Sequence, residues 1–453
     1  MKMLRAILNS FQVKEGHCVH SLGAQSISRY CEKRGQEVIL VSSPLDVEKC
    51  TERVLSLNSD VCGFSSNYVT EPHVIEISRR LKQEKGNEVV IVIGGPSVTY
   101  SSQKSKIRQC NADLFVKGDG EEPFYQILRQ DIRSSIEGRL DIQGVSSKRF
   151  SNETISFVSL DSIPSPFPVK FPTNHVYWET TRGCSFSCIF CAHSGQKNQF
   201  RHVPFERVNQ EAEYLAHQKL KAIYITDPVL GGEKNRSKKI LKLLEKLKGV
   251  FITAEYRPEY LDEETLDLLE RAQIGWLEFG LQTTNPNLSY FRKNSPLAME
   301  KLERLSKRKI KYSLDLIAGI PGDTRESFEE SLKFAIENAH PTSLKVFPLR
   351  VYEGTRLHQM AEKDNSIQYD ENTRIIKRSS TFDETEFLKW MLLGRTCTHL
   401  YKFLGDNNWF GEEGRLRDIR FFKYITDNFG REVPEEYNQE SIAKIWRKSQ
   451  NER

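Results

Sequence analysis

From the first residues to about position 130, short apolar runs bounded by turn residues alternate with stretches whose apolar positions recur at helical spacing. Residues 4–9, 37–41, 61–65, 89–93 and 114–117 read as strands, and 21–33, 47–57 and 73–82 read as helices. Near-continuous apolar strands separated by amphipathic helices predict a doubly wound, Rossmann-like parallel sheet. The alternation resumes after position 173. A strand ending at Glu179 is followed by strands at 222–226, 250–254, 276–282, 312–318 and 344–347, with helical stretches between them. Six such strands predict an open, partial (β/α)6 TIM-type barrel, whose chemistry belongs at the carboxyl ends of the strands. Residues 136–172 read as short strands and turns, and Pro164, Pro166, Pro168 and Pro172 give an extended connection into the barrel. Beyond Gly354 the alternation fades into a mainly helical C-terminal region. A helix is predicted over 384–404, and a tail follows with Trp409, Phe410, Phe421, Phe422 and Trp446. Aromatics at helical spacing are more often core than substrate box.

Within this frame one segment carries distinctive chemistry. Cys184, Cys188 and Cys191 stand in Thr-Arg-Gly-Cys-Ser-Phe-Ser-Cys-Ile-Phe-Cys, a C-x3-C-x2-C run that follows the first barrel strand. Three thiolates on one short loop suit three irons of a [4Fe-4S] cube and leave the fourth iron open to a ligand, whereas a closed cluster or structural zinc needs four. The competing readings are ordinary buried thiols, or a zinc site completed by His193. Phe190 precedes the last cysteine.

With that aromatic, the run resembles the C-x3-C-x-aromatic-C of the radical S-adenosylmethionine (SAM) superfamily. The resemblance implies a cluster that binds SAM at its open iron and cleaves it to a 5'-deoxyadenosyl radical. It also implies roles for strand-end residues. Glu255 and Arg257, in Ala-Glu-Tyr-Arg-Pro-Glu, occupy the place of a ribose hydroxyl acceptor and a cation for the methionine carboxylate, a task suited to the planar Arg fork. A surface salt bridge is the plainer alternative. Gln282 ends Glu-Phe-Gly-Leu-Gln-Thr, where the amide would face SAM, and Gly319, in Asp-Leu-Ile-Ala-Gly-Ile-Pro-Gly, would flank the adenine unless it marks a simple bulge. The usual Gly-Gly-Glu after the second strand is displaced to Gly231, Gly232 and Glu233, so Asp227 becomes the candidate for the SAM amino group.

A sheet of the N-terminal kind ahead of the three-cysteine barrel resembles the cobalamin-binding class of that superfamily, over roughly residues 1–350. The turns after its strands carry Gly63, then Gly94-Gly95-Pro96, then Gly118-Asp119-Gly120-Glu121. The resemblance places Gly63, Gly94, Gly95, Pro96, Gly118, Gly120 and Glu121 around the corrinoid and its nucleotide tail, although such glycines also serve as plain turn residues. Cys18-Val19-His20-Ser21-Leu22-Gly23 keeps the His and Gly of another cobalamin lineage but lacks its Asp, so His20 is expected not to ligate cobalt. The implied organisation is a cobalamin-binding domain over 1–135, a linker over 136–172, the radical SAM barrel over 173–353 and a substrate or cap region over 354–453. The implied cofactors are a [4Fe-4S] cluster, SAM and cobalamin. The implied activity is methyl transfer to an unactivated carbon of a small-molecule or peptide substrate, with electrons from an external donor such as flavodoxin or ferredoxin. A cyclisation or rearrangement on the same cofactors, or a non-catalytic cobalamin or SAM sensor, are the alternatives.

Composition changes this picture little. The 453 residues allow two or three domains, and a formal charge of +5 gives no strong pull toward nucleic acid; the basic stretch 304–311 reads as the wet face of a helix. No run approaches the ~18 apolar residues of a membrane span, and the chain opens on a core-like strand, so no membrane span and a cytoplasmic location are expected. Nine cysteines, three of them clustered, fit reduced thiols and a metal centre better than a disulfide framework.

Overall fold

A computed structural model of the protein describes residues 4–12, 21–102, 105–130, 140–152, 154–167, 173–195, 200–292, 297–406, 417–429, 445–446 and 449. The chain divides into two compact units. One comprises Met1–Arg182 with Arg201–Tyr224, the other Gly183–Phe200 with Ile225–Arg453. Among the described residues no helix is long and apolar enough to cross a membrane.

The first unit is built on β1 (Ala6–Gln12), β2 (Val38–Pro44), β3 (Val61–Ser65), β4 (Val90–Gly94) and β5 (Leu114–Val116), parallel and ordered β2-β1-β3-β4-β5. Alternate residues of each strand enter opposite cores. Leu8, Val92 and Leu114 pack with Phe124 and Ile127 on one face, while Ile7, Phe64 and Ile93 pack with Val74 and Ile77 on the other. Burial on both faces is why these strands read as continuous apolar runs. One of the short strands expected and one helix outside the sequence expectation accompany β5. The stretch 136–172 contributes β6 (Val145–Ser146), antiparallel to β5, and the turn after β5 runs into a helix, Glu121–Leu128. Two residues of strand and eight of helix are too short for a periodicity to emerge. Also in this unit are β7 (His175–Trp178), the two-stranded pair β8 (Thr181–Arg182) and β9 (Arg201–His202), and β10 (Ala222–Ile225).

The second unit holds β11 (Phe251–Tyr256), β12 (Trp276–Gln282), β13 (Tyr312–Ala318) and β14 (Ser343–Pro348), parallel neighbours in that order. All six strands expected of the barrel are thus present. Burial alternates with period 2 in β11 and β12, where Ile252, Ala254, Leu277, Phe279 and Leu281 are buried and Glu255 and Glu278 remain accessible, whereas β13 is buried except at Asp315 and β14 buries Leu344 but leaves Lys345 and Phe347 accessible. A closed TIM barrel fills its interior with branched apolar side chains. Here the opposite face is polar and open. Beyond β14 come the short hairpin β15 (Gln368–Tyr369) and β16 (Ile376–Arg378), and the helix Glu384–Asp406, which packs against β14. Phe421 and Phe422, in the helix Ile419–Phe429, are fully buried, which makes them core. Trp409 and Phe410 lie outside the described residues.

Candidate functional site

The three cysteines lie on a loop of the second unit whose backbone is held from several sides. Cys191 N–H donates to Cys188 O at 3.2 Å, Ile189 N–H to Phe291 O at 3.1 Å, and Leu357 N–H to Ile189 O at 3.0 Å. Phe190 stacks on Phe291 with ring centroids 4.6 Å apart and planes 15° from parallel. All three thiols are partly accessible. Burial, then the proximity of Cys188, pushes the Cys184 thiol up, and burial, then Cys188 and Cys184, pushes Cys191 up to about 11. Backbone N–H groups oppose this, Phe186 against Cys184 and His193 against Cys191.

Strand-end residues gather beside that loop. Arg257, only 4 % exposed, forks onto Glu259 with Nε···Oε2 of 3.0 Å and Nη2···Oε1 of 2.7 Å, and its guanidinium lies 3.7 Å over the Phe186 ring. Burial works against its charge, but the Glu259 hydrogen bond raises its pKa, and Cys188 adds to the rise. The pair is therefore not a surface salt bridge. Gln282 sits at φ 66°, after a register shift between Gly280 and Gln282, and its Oε1 accepts from Arg292 Nη1. The small size of Gly280 lets this pair sit against the strand, since a Cβ would stand 2.7 Å from Gln282 Oε1 and 2.8 Å from Arg292 Nη1 and would push those side-chain ends aside.

The displaced glycines proved closer to the cysteines than their position in the sequence suggested. Gly232 O accepts from Ser185 Oγ at 3.0 Å and from Tyr260 OH at 2.9 Å. Asp227 is 1 % exposed, and its Oδ2 accepts from Gly231 N–H at 3.0 Å, so it braces that turn. At Gly319 a Cβ would meet Ile376 Cγ2 at 2.7 Å and Phe387 Cε2 at 2.8 Å, so its surroundings are apolar side chains.

Further along the accessible face runs a polar row absent from the sequence reading. Glu255 is the register partner of Glu278, and Asp315 of Lys345. Lys345 Nζ pairs with Glu278 Oε1 at 3.0 Å. Glu255 is raised to about 7 by burial, then by Glu278 and Asp315; Asp315 is raised to about 6 by burial and by Glu278, against Lys345. Glu255 is exposed by its accessible surface, and the crowding of protein and of the neighbouring carboxylates around it is what raises it. The period-2 alternation of Glu278 and Asp315 with apolar neighbours was the available signal.

In the first unit, Gly63 lies in the middle of β3 and not in the turn after it, packed against Leu8 and Phe124, while the glycine turns after β4 and β5 are close-packed. A Cβ at Gly63 would press on Phe124, at Gly95 on Ser65 and Ser66, at Gly118 on Ser156 and at Gly120 on Ile27, whereas at Gly94 the contacts are ordinary. Pro96 opens a short helix, Pro96–Thr99. Glu121 is buried; it accepts from Ser26 Oγ at 2.7 Å and pairs with Arg182 at 3.0 Å. Its neighbour Asp119 binds two arginines, Arg182 at 3.1 Å and Arg201 at 2.6 Å, and accepts from Val158 N–H at 2.8 Å. Arg182 and Arg201 are register partners across β8 and β9, the stem of the cysteine loop. His20 lies outside the described residues.

Two family models match the chain. Residues 178–335 match the radical SAM superfamily and residues 13–128 match the B12 binding domain. The chain belongs to the cobalamin-binding radical SAM enzymes. Among relatives of this enzyme, an uncharacterized methyltransferase of Pyrococcus horikoshii is 25 % identical over 337 residues, covering 69 % of this chain and 72 % of the relative. The cobalamin-dependent radical SAM methyltransferase TokK of Streptomyces tokunonensis is 22 % identical over 332 residues, 64 % of this chain and 48 % of TokK. The radical SAM methyltransferase TsrM from Kitasatospora setae, solved with cobalamin and a [4Fe-4S] cluster bound, superposes with a TM-score of 0.68 at 16 % identity, covering 99 % of each chain. It shares the fold.

The cofactors of this cobalamin-binding radical SAM enzyme are a [4Fe-4S] cluster, SAM and cobalamin, and its residues suit each of them. Three partly accessible thiols with N–H groups aimed at two of the sulfurs match the environment of a cubane ligated at three corners. Among the described residues no three His, Cys, Asp or Glu side chains converge on a single ion, and three thiolates on three different irons have no need to. The Gly231–Gly232 backbone and Glu255 could hold a charged, hydroxylated ligand beside them, while the Arg257 fork is engaged by Glu259 and would offer such a ligand its positive charge and not a bidentate clasp. For cobalamin, the crevice outside the carboxyl ends of β1 and β3, where the strand order reverses, is the place such sheets bind ligands, and the fully buried Ser66 Oγ there has no hydrogen-bond partner.

Proposed function

We propose that this enzyme transfers a methyl group to an unactivated carbon. The observation that carries the reading is the presence in one chain of a three-thiolate radical SAM loop and a B12-binding sheet. When bound, the cluster and SAM supply a 5'-deoxyadenosyl radical that removes hydrogen, and cobalamin supplies the methyl group that replaces it. Cys184, Cys188 and Cys191 hold the cluster. Arg257 orients the methionine carboxylate, the Gly231–Gly232 turn approaches its amino group, and Glu255 accepts from the ribose hydroxyls, while Asp227 serves as the brace of that turn. The substrate meets the accessible wall of Glu278, Asp315, Lys345 and Phe347, with the C-terminal region excluding water from the radical. The names of the methyltransferase relatives support the same class of reaction.

An anaerobic incubation with reductant, cobalamin, substrate extract and SAM deuterated in its methyl group tests the proposal. Both 5'-deoxyadenosine and S-adenosylhomocysteine should accumulate, with a product heavier by one labelled methyl. If 5'-deoxyadenosine forms in step with an unlabelled product and S-adenosylhomocysteine stays at background, the reaction is a rearrangement and the proposal fails.

A further inference from the structure

Strand register gathers one sign of charge on the accessible face of β11–β14. Glu255 lies beside Glu278, Glu278 beside Ser313, and Asp315 beside Lys345. Two cations stand within electrostatic reach of Glu255 and Asp315. Lys345 gives its Nζ to Glu278 Oε1 at 3.0 Å, and Arg292 commits its Nη1 to Gln282 Oε1. Three carboxylates therefore face two cations, and Glu278 holds the only ammonium among them. Glu255 belongs to SAM in the reading above, which leaves Asp315 unclaimed. Asp315 has no ion pair among the described residues, and its Oδ1, shut off from solvent, has no hydrogen-bond partner. Ser313, two residues earlier on the same face, is fully buried beside it, and its Oγ also lacks a partner.

A carboxylate without a counter-charge and buried acceptors without donors are both costly, and an apolar pair would serve the strand better if folding alone were at stake. The arrangement suits a cation that arrives from outside. A divalent metal is the wrong kind, because among the described residues no three His, Cys, Asp or Glu side chains converge on one ion. An ammonium is the right kind: one charge and three N–H donors. Phe347 indicates where the rest of such a molecule lies. It stands on the same face two residues beyond Lys345 and is 46 % exposed. Two residues of strand carry it about 6–7 Å toward the carboxyl end, where the chemistry of such barrels takes place.

We infer that the substrate carries a protonated amino group that binds Asp315 beside the Glu278–Lys345 pair, with an apolar stretch laid along Phe347 toward the carboxyl ends of the strands. The amine supplies the missing positive charge, and Phe347 covers hydrocarbon that would otherwise face water. The carbon to be methylated then lies beyond the apolar stretch, away from the charged end. The inference rests on the reading of this wall as the substrate's.

The test titrates hexylamine, with hexan-1-ol as its neutral control, into the full-length chain carrying cluster, cobalamin and SAM, by anaerobic calorimetry. Hexylamine should bind about tenfold more tightly than hexan-1-ol, and Asp315→Asn should remove that preference. Burial, with Glu278 beside it, raises Asp315 to about 6, so hexylamine affinity should fall as pH drops through that value and stay level in Asp315→Asn. Lys345→Met frees Glu278 from its ammonium and should tighten hexylamine binding. Iron content and SAM affinity equal to wild type show that each variant is folded. In a second arm, substrate extract is passed over a cation exchanger at neutral pH, and the compound that receives a deuterated methyl from SAM should come from the retained fraction. Equal affinity for hexylamine and hexan-1-ol, hexylamine binding unchanged in Asp315→Asn or weakened in Lys345→Met, or labelled product from the unretained fraction would overturn the inference. Asp315-dependent hexylamine binding in a chain that labels no product overturns methyl transfer instead and leaves the amine site standing.

Discussion

Replacing Asp119 by Ala should loosen the stem of the cysteine loop. Arg182 would keep Glu121 and Glu179, at 3.0 and 2.8 Å, but Arg201 would lose both hydrogen bonds to the Asp119 carboxylate while keeping the carbonyl of Val158, at 2.7 Å, and its place 5.3 Å over the Phe157 ring. Removing one partner of a buried ion pair costs about 3–5 kcal/mol because the other charge is stranded. The Asp119 side chain is 9 % exposed and that of Arg201 20 %, so water relieves part of the stranding and the lower end, about 3 kcal/mol, applies. That corresponds to a roughly hundredfold rise in local opening. The amide of Val203 is the reporter, because it donates to Thr180 O at 3.1 Å beside the stem without touching Asp119. Its native-state hydrogen exchange should accelerate about a hundredfold, and Asp119→Asn, which keeps an acceptor, should fall between. Acid should act in the same direction. Burial opposes the Asp119 charge, but Arg201, then Arg182, hold its pKa below the ordinary 3.8, so its stabilisation is complete above that value and is lost as pH falls through the lowered one. Exchange at Val203 within threefold of wild type in Asp119→Ala would refute the reasoning.

Other consequences can be checked directly. Anaerobic reconstitution should give about four irons and four sulfides per chain, and Cys184→Ala, Cys188→Ala or Cys191→Ala should lose most of that iron; stoichiometric zinc without sulfide would contradict the cluster assignment. Because Glu255 is raised to about 7, its carboxylate grows in as pH rises through neutrality, so SAM affinity should increase from pH 6 to pH 8 and Glu255→Gln should flatten the profile; a wild-type profile already flat would remove Glu255 from the ribose contact. Gly280→Ala should displace the Gln282–Arg292 pair and weaken SAM binding by about tenfold, measured by equilibrium titration, while leaving iron content intact.

Much of the architecture was legible because each strand carries its environment in its pattern. Val61–Ser65 and Trp276–Gln282 match the expected bounds residue for residue, the first as a continuous apolar run buried on two faces and the second as strict alternation. The cysteine loop was legible because ligand spacing is local. What escaped notice depends on contacts far apart in sequence. Asp119 looks like an ordinary turn residue until Arg182 and Arg201 close on it, and Glu259 looks like surface charge until Arg257 folds onto it. The row Glu255, Glu278, Asp315 and Lys345 comes from four strands, and only the register brings it together.

The accessible inner wall of β11–β14 affects how the second unit stays folded. A strand that buries one face, as β11 and β12 do, draws only half of the apolar cohesion available to a strand in a filled barrel, and the polar row adds groups that prefer water. What occupies that wall is therefore also a structural member. A ligand that binds only the folded chain adds about 2.7 kcal/mol when present at a hundred times its dissociation constant, a sizeable share of what keeps any domain folded. Persistence of this half of the protein is then tied to metabolite supply: a cell short of SAM or substrate would hold a looser chain, more open to proteolysis, before it lost any catalysis.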